Sequence, residues 1–405
     1  ALYEISQATT QSYDLSELFN TSVKVIGDLL NASRCSLFIY EKDINKLVHY
    51  ASIGIPELKD SNYKIDADKG IMSEILKESY PILVTDIDSE ARFSKHKNEV
   101  YITKSFLSVP LVINEEVVGL INLADKQGGE VFNSTDLILA SSIGSNLASA
   151  YNTFKLNQEL LEKERLKKEL ETAVAIQKRI LPKSFEEIGN LKIDAFTIPA
   201  SNVGGDYYDF VRLDENRFAL VMADVSGKGI PAALFAALSR NTLRAEINNF
   251  STTERIFENA NNYICLDSEA GMFVTAVIFL INHRDKTIHF ASAGHNAQVF
   301  YHSKEKRLEL LKSNGIPLGV IKKSRFQEKF MHYKEGDTLI LFTDGAVEAN
   351  NEKEEMFGEE EFYALIEKYS HLDCKDMLHE IKREILDFSS EDHLFDDFTM
   401  MLVRF

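Results

Sequence analysis

Aspartates at glycine-rich junctions are the residues of this chain whose types and spacing point to chemistry. They stand in four segments of its second half, each beside a stretch that predicts a β-strand. Strand ends are fixed points from which short carboxylates can converge, and glycine lets the backbone approach closely. The segments are Val203-Gly-Gly-Asp206-Tyr-Tyr-Asp209, Met222-Ala-Asp224-Val-Ser-Gly-Lys-Gly229, Leu341-Phe-Thr-Asp344-Gly345 and Leu394-Phe-Asp396-Asp397-Phe-Thr399.

Converging carboxylates without a histidine or cysteine partner form a site for hard cations. Oxygen ligands select Mg²⁺ or Mn²⁺ over zinc, and packing several negative groups together without a cation is costly. Two divalent ions roughly 3.5–4 Å apart can activate a bridging water for in-line attack on phosphorus. Each segment alone is typical of a turn, a loop or a helix cap, whereas all four within one block favour a two-metal site.

The elements that must position these aspartates are strands and helices predicted from apolar periodicity. Their order indicates sheets covered by pairs of helices. Strands are predicted at 191–198, 218–225, 273–280, 287–293, 338–343 and 398–405, and helices at 231–248, 252–266, 359–369 and 374–386.

In their order along the chain and in their amino-acid sequence, the four segments resemble the PPM (type 2C) serine/threonine phosphatases. The branch they are most similar to is the bacterial one exemplified by the stage II sporulation E protein and the sigma-factor regulatory phosphatases. Further segments that carry the resemblance are Phe273-Val-Thr-Ala-Val, Ser292-Ala-Gly-His295 and Asn314-Gly-Ile-Pro-Leu-Gly. The resemblance implies an αββα-type β-sandwich over residues 186–405. It also implies a metal-dependent protein phosphatase, a hydrolase in which a metal-activated water attacks the phosphate.

The same resemblance implies a role for each aspartate. Asp224 would bridge two Mn²⁺ or Mg²⁺ ions, and Asp206 with the Val225 backbone carbonyl would complete the second metal site. The implied substrate is a phosphoserine or phosphothreonine on a small regulatory protein, such as an anti-sigma-factor antagonist.

The first metal would be held by Asp344 and by the adjacent pair Asp396 and Asp397. The family motif favours Asp396 as the direct ligand, with Asp397 binding the metal or orienting water. The implied catalytic residues are Asp206, Asp224, Asp344, Asp396 and Asp397, and the implied metal ligands are these five together with Val225.

Two departures from the family pattern concern the leaving group and the phosphate. Many type 2C enzymes have Asp-Gly-His at the bridging motif, whereas this chain has Lys228 in that stretch and no histidine. The proton for the leaving oxygen must then come from metal-bound water, Lys228 or elsewhere, since His295 is of a kind that is more often structural. No arginine near Asp206 is evident as a phosphate clamp. Asp209 is expected either behind the site or exposed at the surface.

The first block predicts an α+β domain, an antiparallel sheet flanked by helices. It resembles a GAF domain over about residues 10–155, through Ser105-Phe-Leu-Ser-Val-Pro-Leu, Val117-Val-Gly-Leu-Ile-Asn-Leu-Ala-Asp-Lys126, Phe132 and Asp136. The resemblance implies a pocket for an unknown small ligand. The pattern of the cyclic-nucleotide-binding members is matched in part, because Asp125 replaces an asparagine. A ligand sensor and a ligand-free dimerisation module are both left open.

A long helix is predicted between the two blocks, ending before Pro182. Its apolar stripe favours a two-stranded coiled coil in a homodimer, and packing on one of its own domains is the alternative. The predicted division is a GAF-like sensor domain at 1–150, a helical linker at 151–185 and a phosphatase domain at 186–405. The stripe consists of Leu156, Leu160, Leu166, Leu170, Val174 and Ile180.

Composition and charge exclude several classes of protein. With 45 basic and 63 acidic residues the net charge is −18, which argues against nucleic-acid binding. No stretch is apolar for long enough to span a membrane, and there is no basic-then-apolar start. Three cysteines that lie far apart fit a reducing cytoplasm. The chain starts at Ala1 rather than methionine, which leaves open whether it is a fragment of a longer protein.

Three functions compete for these observations. The first is a sensor-regulated phosphoprotein phosphatase. The second is a scaffold whose phosphatase block is inactive, against which the retained aspartates argue. The third is a nucleotide cyclase or another two-metal enzyme, which the lack of a phosphate-gripping motif disfavours.

Overall fold

A computed structural model of the chain describes residues 15–58, 63–68, 70–90, 92–93, 103–268, 271–389 and 394–405. The chain divides into two compact units, with the boundary between Arg165 and Leu166. That boundary lies inside one long helix, which contributes turns to both units.

The first unit contains a six-stranded antiparallel sheet. Its elements are α1 (Leu15–Leu29), β1 (Ala32–Glu41), β2 (Lys46–Ile53), β3 (Lys64–Asp66), α2 (Gly70–Glu78), β4 (Ile82–Val84), β5 (Phe106–Ile113) and β6 (Glu116–Lys126). The strand order is β3-β2-β1-β6-β5-β4, so the two long strands β1 and β6 lie at the centre. The predicted antiparallel sheet with flanking helices is confirmed.

Helix α1 packs on this sheet through an apolar face with helical spacing. Phe19, Val23 and Ile26 are fully buried there, and burying a side chain of this size contributes about 1.5–3 kcal/mol to folding. Ile143 and Leu147 belong to the same core. They lie in the first turns of α3 (Ser134–Ile180), the long helix that runs through the boundary between the units.

The second unit contains two five-stranded antiparallel sheets, ordered β14-β11-β10-β9-β8 and β13-β12-β15-β16-β7. The strands are β7 (Lys192–Ile198), β8 (Tyr207–Arg212), β9 (Arg217–Val225), β10 (Val274–Asn282), β11 (Thr287–Ala293), β12 (Gln298–His302), β13 (Arg307–Leu311), β14 (Lys329–His332), β15 (Thr338–Phe342) and β16 (Phe398–Arg404). The helices are α4 (Ile230–Asn249), α5 (Thr253–Asp267), α6 (Glu359–Tyr369) and α7 (Cys374–Phe388).

Strand β9 shows how the layers of this unit are built. Ala219, Val221 and Ala223 pack in the core that includes α4 and α5. The alternate residues Leu220 and Met222 pack between the two sheets. Because both faces of the strand are buried, its sequence is a continuous apolar run rather than an alternation. A further core lies between the other sheet and helices α6 and α7, so the αββα expectation is confirmed.

Candidate functional site

The antiparallel pairing brings the aspartate segments to neighbouring strand ends. In the first sheet, Tyr207 pairs with Ala223. The start of β8, which Asp206 precedes, therefore lies beside the end of β9, which holds Asp224. In the second sheet, Phe342 pairs with Met400. The end of β15 thus lies beside the start of β16.

A threonine connects the two sheets at this end of the sandwich. Thr343 follows β15, and its hydroxyl donates a 2.6 Å hydrogen bond to Asp206 Oδ2 at the start of β8. The same hydroxyl oxygen accepts from the Thr399 amide of β16 at 3.2 Å. The segments that carry Asp206 and Asp344 are therefore held together through one buried side chain.

Asp397 organises the loop in front of β8. Its Oδ1 accepts a 2.8 Å hydrogen bond from the Ala200 amide. Its Oδ2 accepts from the amides of Gly205 at 2.6 Å and Asp206 at 3.3 Å. The neighbouring Asp396 is about one-third exposed, and its carboxylate accepts from the amide of Asp397 at 2.8 Å.

Glycine is required where the segments approach one another. A Cβ placed on Gly205 would lie 2.6 Å from the carbonyl oxygen of Val225. One placed on Gly345 would overlap the carbonyl oxygen of Asp397. These contacts put the Val225 carbonyl against the loop that carries Asp206, and they put Asp344 against the pair at 396 and 397.

The electrostatics of the cluster are those of crowded carboxylates. Burial, followed by the charges of Asp224 and Asp397, raises the pKa of Asp206 well above its usual range. Burial and then the charges of Asp344 and Asp396 raise the pKa of Asp224 to about 7. The pKa of Asp344 is raised as well, by burial first and by Asp396 next.

This donor set fits hard divalent cations. All the converging side-chain donors are carboxylate oxygens, joined by one backbone carbonyl, and such ligands suit Mg²⁺ or Mn²⁺. Burial first, and then the neighbouring carboxylate charges, raise the pKa values of these groups. A bound cation would lower these pKa values by stabilising the charged carboxylates.

Lys228 is a basic side chain at the edge of the cluster. Its Nζ lies 3.8 Å from Asp396 Oδ2 and 4.6 Å from the centre of the Phe395 ring, and it donates to the Phe395 carbonyl. About half of the lysine side chain is exposed. It is therefore a partly exposed cation at the edge of the carboxylate cluster.

His295 is half-buried and contacts a threonine on the strand next to Asp224. Its Nδ1 is 2.8 Å from the hydroxyl of Thr275, the residue that pairs with Asp224 across β9 and β10. Burial lowers the pKa of His295 to about 4, so the ring is neutral at pH 7. This environment favours the structural interpretation of this histidine.

Asp209 is buried and ion-paired, not exposed at the surface. Its Oδ1 lies 2.8 Å from Arg240 and 2.9 Å from Arg244, both on helix α4. These ion pairs hold α4 against β8. Asp209 lies three residues after Asp206 along the chain.

The sequence reasoning missed some residues that contribute to this site. Thr343 and Thr399 lie directly beside the predicted aspartates, so their place in the same segments was the available signal. Glu348 is also close, since burial and then the charges of Asp344 and Asp396 raise its pKa. Nothing in its local sequence marks it, because its position depends on the turn that follows Asp344.

The first unit contains a cavity of about 310 Å³, in the size range of small-ligand sites. Its lining is mostly apolar and includes Phe38, Ile75 and Phe106, with Arg34, Ser36 and Asn122 among its polar groups. The charged residues of the partly matched motif are engaged elsewhere, as pairs within the protein. Lys126 Nζ lies 2.7 Å from Asp136, and Arg34 Nε lies 3.3 Å from Asp125.

Two features bear on the setting of the protein. Within the parts of the chain that the structure describes, no helix is both long and apolar enough to cross a membrane. The three cysteines, Cys35, Cys265 and Cys374, are free thiols.

Comparison with protein families gives one match in each unit. Residues 214–405 match the family described as Stage II sporulation protein E (SpoIIE), and residues 14–151 match the GAF domain. The first match includes three of the predicted aspartate segments, and Asp206 lies just before it.

Among known proteins, the chain is 28% identical over 276 residues to the phosphoserine phosphatase RsbU of Bacillus subtilis, covering 68% of this chain and 80% of that protein. It is 28% identical over 201 residues to the phosphoserine phosphatase RsbP of the same organism, covering 48% of this chain and 47% of RsbP, less than half of that relative's length. Among solved structures, the SiaA-PP2C domain of Pseudomonas aeruginosa superposes with a TM-score of 0.55 at 21% identity, covering 60% of this chain and 98% of that domain. This last similarity concerns the fold.

Proposed function

Because the chain carries a GAF domain followed by a SpoIIE-type PP2C phosphatase domain, we propose that it is a metal-dependent phosphoprotein phosphatase whose activity is regulated by its GAF unit. The observation that carries the proposal is the convergence of Asp206, Asp224 and Asp344 in one crowded cluster with raised pKa values. The two relatives named phosphoserine phosphatases support the same reaction class.

In this proposal the cluster holds two Mn²⁺ or Mg²⁺ ions. Asp224 would contribute to both ions, Asp206 and the Val225 carbonyl would belong to the second, and Asp344 and Asp396 would belong to the first. The ions would supply a water activated for attack on phosphorus. Because the amides of Ala200 and Gly205 occupy the carboxylate of Asp397, we assign this residue to orienting the loop and water more than to direct ligation.

Lys228 is our choice for the positive group that meets the substrate. It lies at the edge of the cluster beside Asp396, whereas His295 is held by Thr275 and is neutral. Lys228 can orient a phosphoryl oxygen and can also deliver a proton to the leaving serine oxygen. This role compensates for the lack of an arginine clamp in the motif.

We propose a phosphoserine or phosphothreonine of a regulatory protein as the substrate. The anti-sigma-factor antagonist type is the specific candidate, and it rests on the resemblance to the SpoIIE branch. The negative charge of the chain fits a protein partner better than a nucleic acid. The free thiols support the cytoplasm as its location.

A homodimer through the linker helix and the GAF unit is the proposed assembly. Leu156, Leu160, Leu161 and Leu166 are each more than half exposed on α3, and a second copy of the helix would cover them. We retain 1–150, 151–185 and 186–405 as the functional division into sensor, linker and phosphatase.

A small ligand in the GAF unit is the proposed input to the enzyme. The cavity of about 310 Å³ supports a ligand sensor over a ligand-free dimerisation module. Its lining is mostly apolar, and its cation, Arg34, is paired with Asp125. Together with the internal pairing of Lys126 with Asp136, this favours a compact, mostly apolar ligand over a charged nucleotide.

The test of the proposed reaction uses the full chain, a phosphoserine peptide and Mn²⁺. The expected result is turnover that depends on Mn²⁺, is lost in Asp224→Asn and is retained in Asp387→Asn, a matched change at an exposed aspartate of α7. An inactive scaffold would show no metal-stimulated turnover. A rate equal to wild type in Asp224→Asn would contradict the proposed site.

A further inference from the structure

An exposed apolar patch lies where helix α5 meets the loop between β13 and β14. Tyr263 and Leu266 on the helix, and Val320 and Ile321 in the loop, are each more than half exposed. Tyr263 and Leu266 are three residues apart, so they share one side of the helix. Single exposed apolar residues are ordinary, whereas a cluster of them indicates an interaction site.

Hydrogen bonds from α5 hold the loop against the helix. Asn261 Nδ2 donates to the Ile321 carbonyl oxygen at 2.8 Å, and Asn261 Oδ1 accepts from the Gly319 amide at 3.0 Å. Asn262 Oδ1 accepts from the Lys323 amide at 3.2 Å. Because two successive side chains of the helix bind the loop backbone, the apolar residues of the helix and of the loop form one surface.

The loop adds positive charge to this surface. Lys322, Lys323 and Arg325 are exposed, and none of the three forms an ion pair with an acidic group that the structure describes. The sequence from Lys312 to Gln327 holds no aspartate or glutamate, and Asp267 is an exposed acid at the edge of the surface. In a chain of net charge −18 this is a local reversal of sign. We call these four apolar and three basic side chains the basic-apolar surface.

The base of the loop lies next to the strand that pairs with the segment of Asp224. Leu318 exchanges two backbone hydrogen bonds with Val274, at 2.8 and 2.9 Å, and Val274 pairs in turn with Val225. Neighbouring strands are about 4.8 Å apart, and two further residues of chain to Val320 add at most about 7 Å. The basic-apolar surface therefore begins within about 17 Å of Val225.

A phosphoprotein with its phosphate at the carboxylate cluster would meet this surface. A protein interface of standard size covers about 800 Å² on each partner, which corresponds to a disc of about 16 Å radius. Centred on the cluster, such a disc extends to the basic-apolar surface. The part of the substrate that lies there is distant from the reacting phosphate, so its contacts affect which protein binds rather than the chemistry.

We propose that the basic-apolar surface is a docking site for the phosphoprotein substrate, and that it selects substrates with acidic and apolar side chains beside the phosphorylated residue. The inference rests on the proposed function above and adds the chemistry of the partner. Three cations without internal partners attract an acidic protein surface by complementary charge. The apolar side chains between them supply area that such a partner buries.

The test uses the full chain with Mn²⁺ and three substrates. Two are phosphoserine peptides of equal length, which carry either Asp-Leu-Glu-Leu or Lys-Leu-Lys-Leu on both sides, about six to ten residues from the phosphoserine, the distance that about 17 Å of extended chain requires. The third is p-nitrophenyl phosphate, which is too small to reach the surface. We expect wild type to have a kcat/KM for the acidic peptide about 10-fold or more above that for the basic one, as electrostatic steering provides.

Charge reversal of the loop is the variant that tests the cations. Lys322→Glu/Lys323→Glu should lower kcat/KM for the acidic peptide by about 10-fold or more, through KM, and should raise it for the basic peptide. The rate with p-nitrophenyl phosphate should stay within about twofold of wild type, because neither lysine belongs to the cluster.

The matched control makes the same change of charge at a distant turn. Lys304→Glu/Lys306→Glu reverses two exposed lysines between β12 and β13. That turn lies at the end of β15 away from Asp344, because Tyr301 pairs with Thr338, the first residue of β15. The control should keep the preference of wild type for the acidic peptide.

A second variant tests the apolar part of the surface. Leu266→Ala removes an exposed side chain, so the fold does not depend on it. Because both peptides carry leucines, kcat/KM should fall for both by about threefold or more, which is less than full burial of a leucine would give. The rate with p-nitrophenyl phosphate should again be unchanged.

The outcomes separate the docking site from the proposed function. Equal kcat/KM for the two peptides in wild type, or an equal loss on all three substrates in Lys322→Glu/Lys323→Glu, would overturn the docking site. Mn²⁺-dependent turnover of p-nitrophenyl phosphate would still uphold the enzyme. A changed oligomeric state in sedimentation with unchanged peptide preference would assign the surface to contacts between copies of the chain, and would also overturn the docking site. If wild type turns over none of the substrates, both proposals are refuted.

Discussion

Buried charge is handled in opposite ways in the two units. In the GAF unit, Lys126 and Asp136 are both largely buried, and they neutralise each other at 2.7 Å. In the phosphatase unit, burial and like charge raise the pKa values of Asp206 and Asp224. Paired buried charge is compensated within the fold, whereas crowded charge of one sign indicates a place for a ligand of the opposite sign.

The difference appears even within the phosphatase unit. Asp209 lies three residues after Asp206 and is equally buried, yet it is paired with Arg240 and Arg244. Two carboxylates of one short segment thus have different tasks, one connecting helix α4 to β8 and the other facing the cluster.

Asp224→Asn is the substitution with the largest expected effect. Loss of a bridging ligand removes several kcal/mol of transition-state stabilisation, so the Mn²⁺-dependent rate should fall by about 10³-fold or more. The same change removes one charge from a crowded cluster, so metal-free stability should rise, by about 2–4 °C in melting temperature. Steady-state kinetics measures the expected loss of rate, and thermal unfolding without metal measures the expected gain in melting temperature. A melting temperature below that of wild type would contradict the account of the cluster.

Gly204→Ala tests how closely the segments must approach. A Cβ at this position overlaps the Asp397 carboxylate, so the loop that carries Asp206 must shift. A displacement of about 1 Å costs around 10²-fold in rate, which phosphatase kinetics at saturating Mn²⁺ would measure. An active Gly204→Ala enzyme would show that the loop need not lie against Asp397.

Asp136→Asn should lower the stability of the GAF unit, whereas Asp224→Asn should raise the metal-free stability of the phosphatase unit. The change leaves Lys126 buried without its near partner, and breaking a buried pair costs about 3 kcal/mol. Urea denaturation should therefore show a destabilised GAF unit, with Asp28→Asn, at an exposed position of α1, as the control. Equal stability of the two variants would remove the contrast between the units.

His295→Asn should have the smallest effect of the four changes on the chemistry. Because the ring is neutral and bonded to Thr275, a neutral amide that keeps this contact should hold the rate within about threefold of wild type. The pH profile of the rate should also be unchanged between pH 6 and 8, since His295 has a pKa of about 4 and does not titrate there. A lost basic or acidic limb would assign a proton-transfer role to this histidine.

The sequence predicts the strands that carry the site better than the contacts within the site. Apolar runs such as β9 and β16 are recognisable because each is bounded by a turn and followed or preceded by an aspartate. Strand β8 was missed because Tyr-Tyr-Asp-Phe reads as a continuation of the glycine junction, and its buried Asp209 interrupts the apolar run. The short strands β12, β13 and β14 were also missed, since each has only four or five residues, too few for an apolar periodicity to show.

Contacts between distant segments are the part that the sequence could not predict. The hydrogen bond from Thr343 to Asp206 joins residues 137 positions apart, and the contacts of Asp397 with Gly205 join residues 192 apart. The sequence motifs identify the segment to which each aspartate belongs. Which carboxylate faces the cluster and which one binds backbone amides follows only from the packing of the two sheets.

The most direct test of the central claim is the effect of Mn²⁺ on thermal unfolding of the full chain and of Asp224→Asn. If a pair of divalent ions neutralises the cluster, Mn²⁺ should raise the melting temperature of the wild-type phosphatase unit, by an amount that grows with free Mn²⁺ concentration as binding linkage requires. The variant should show little or no shift. An equal shift in both proteins, or none in wild type, would contradict the assignment of this cluster as the metal site.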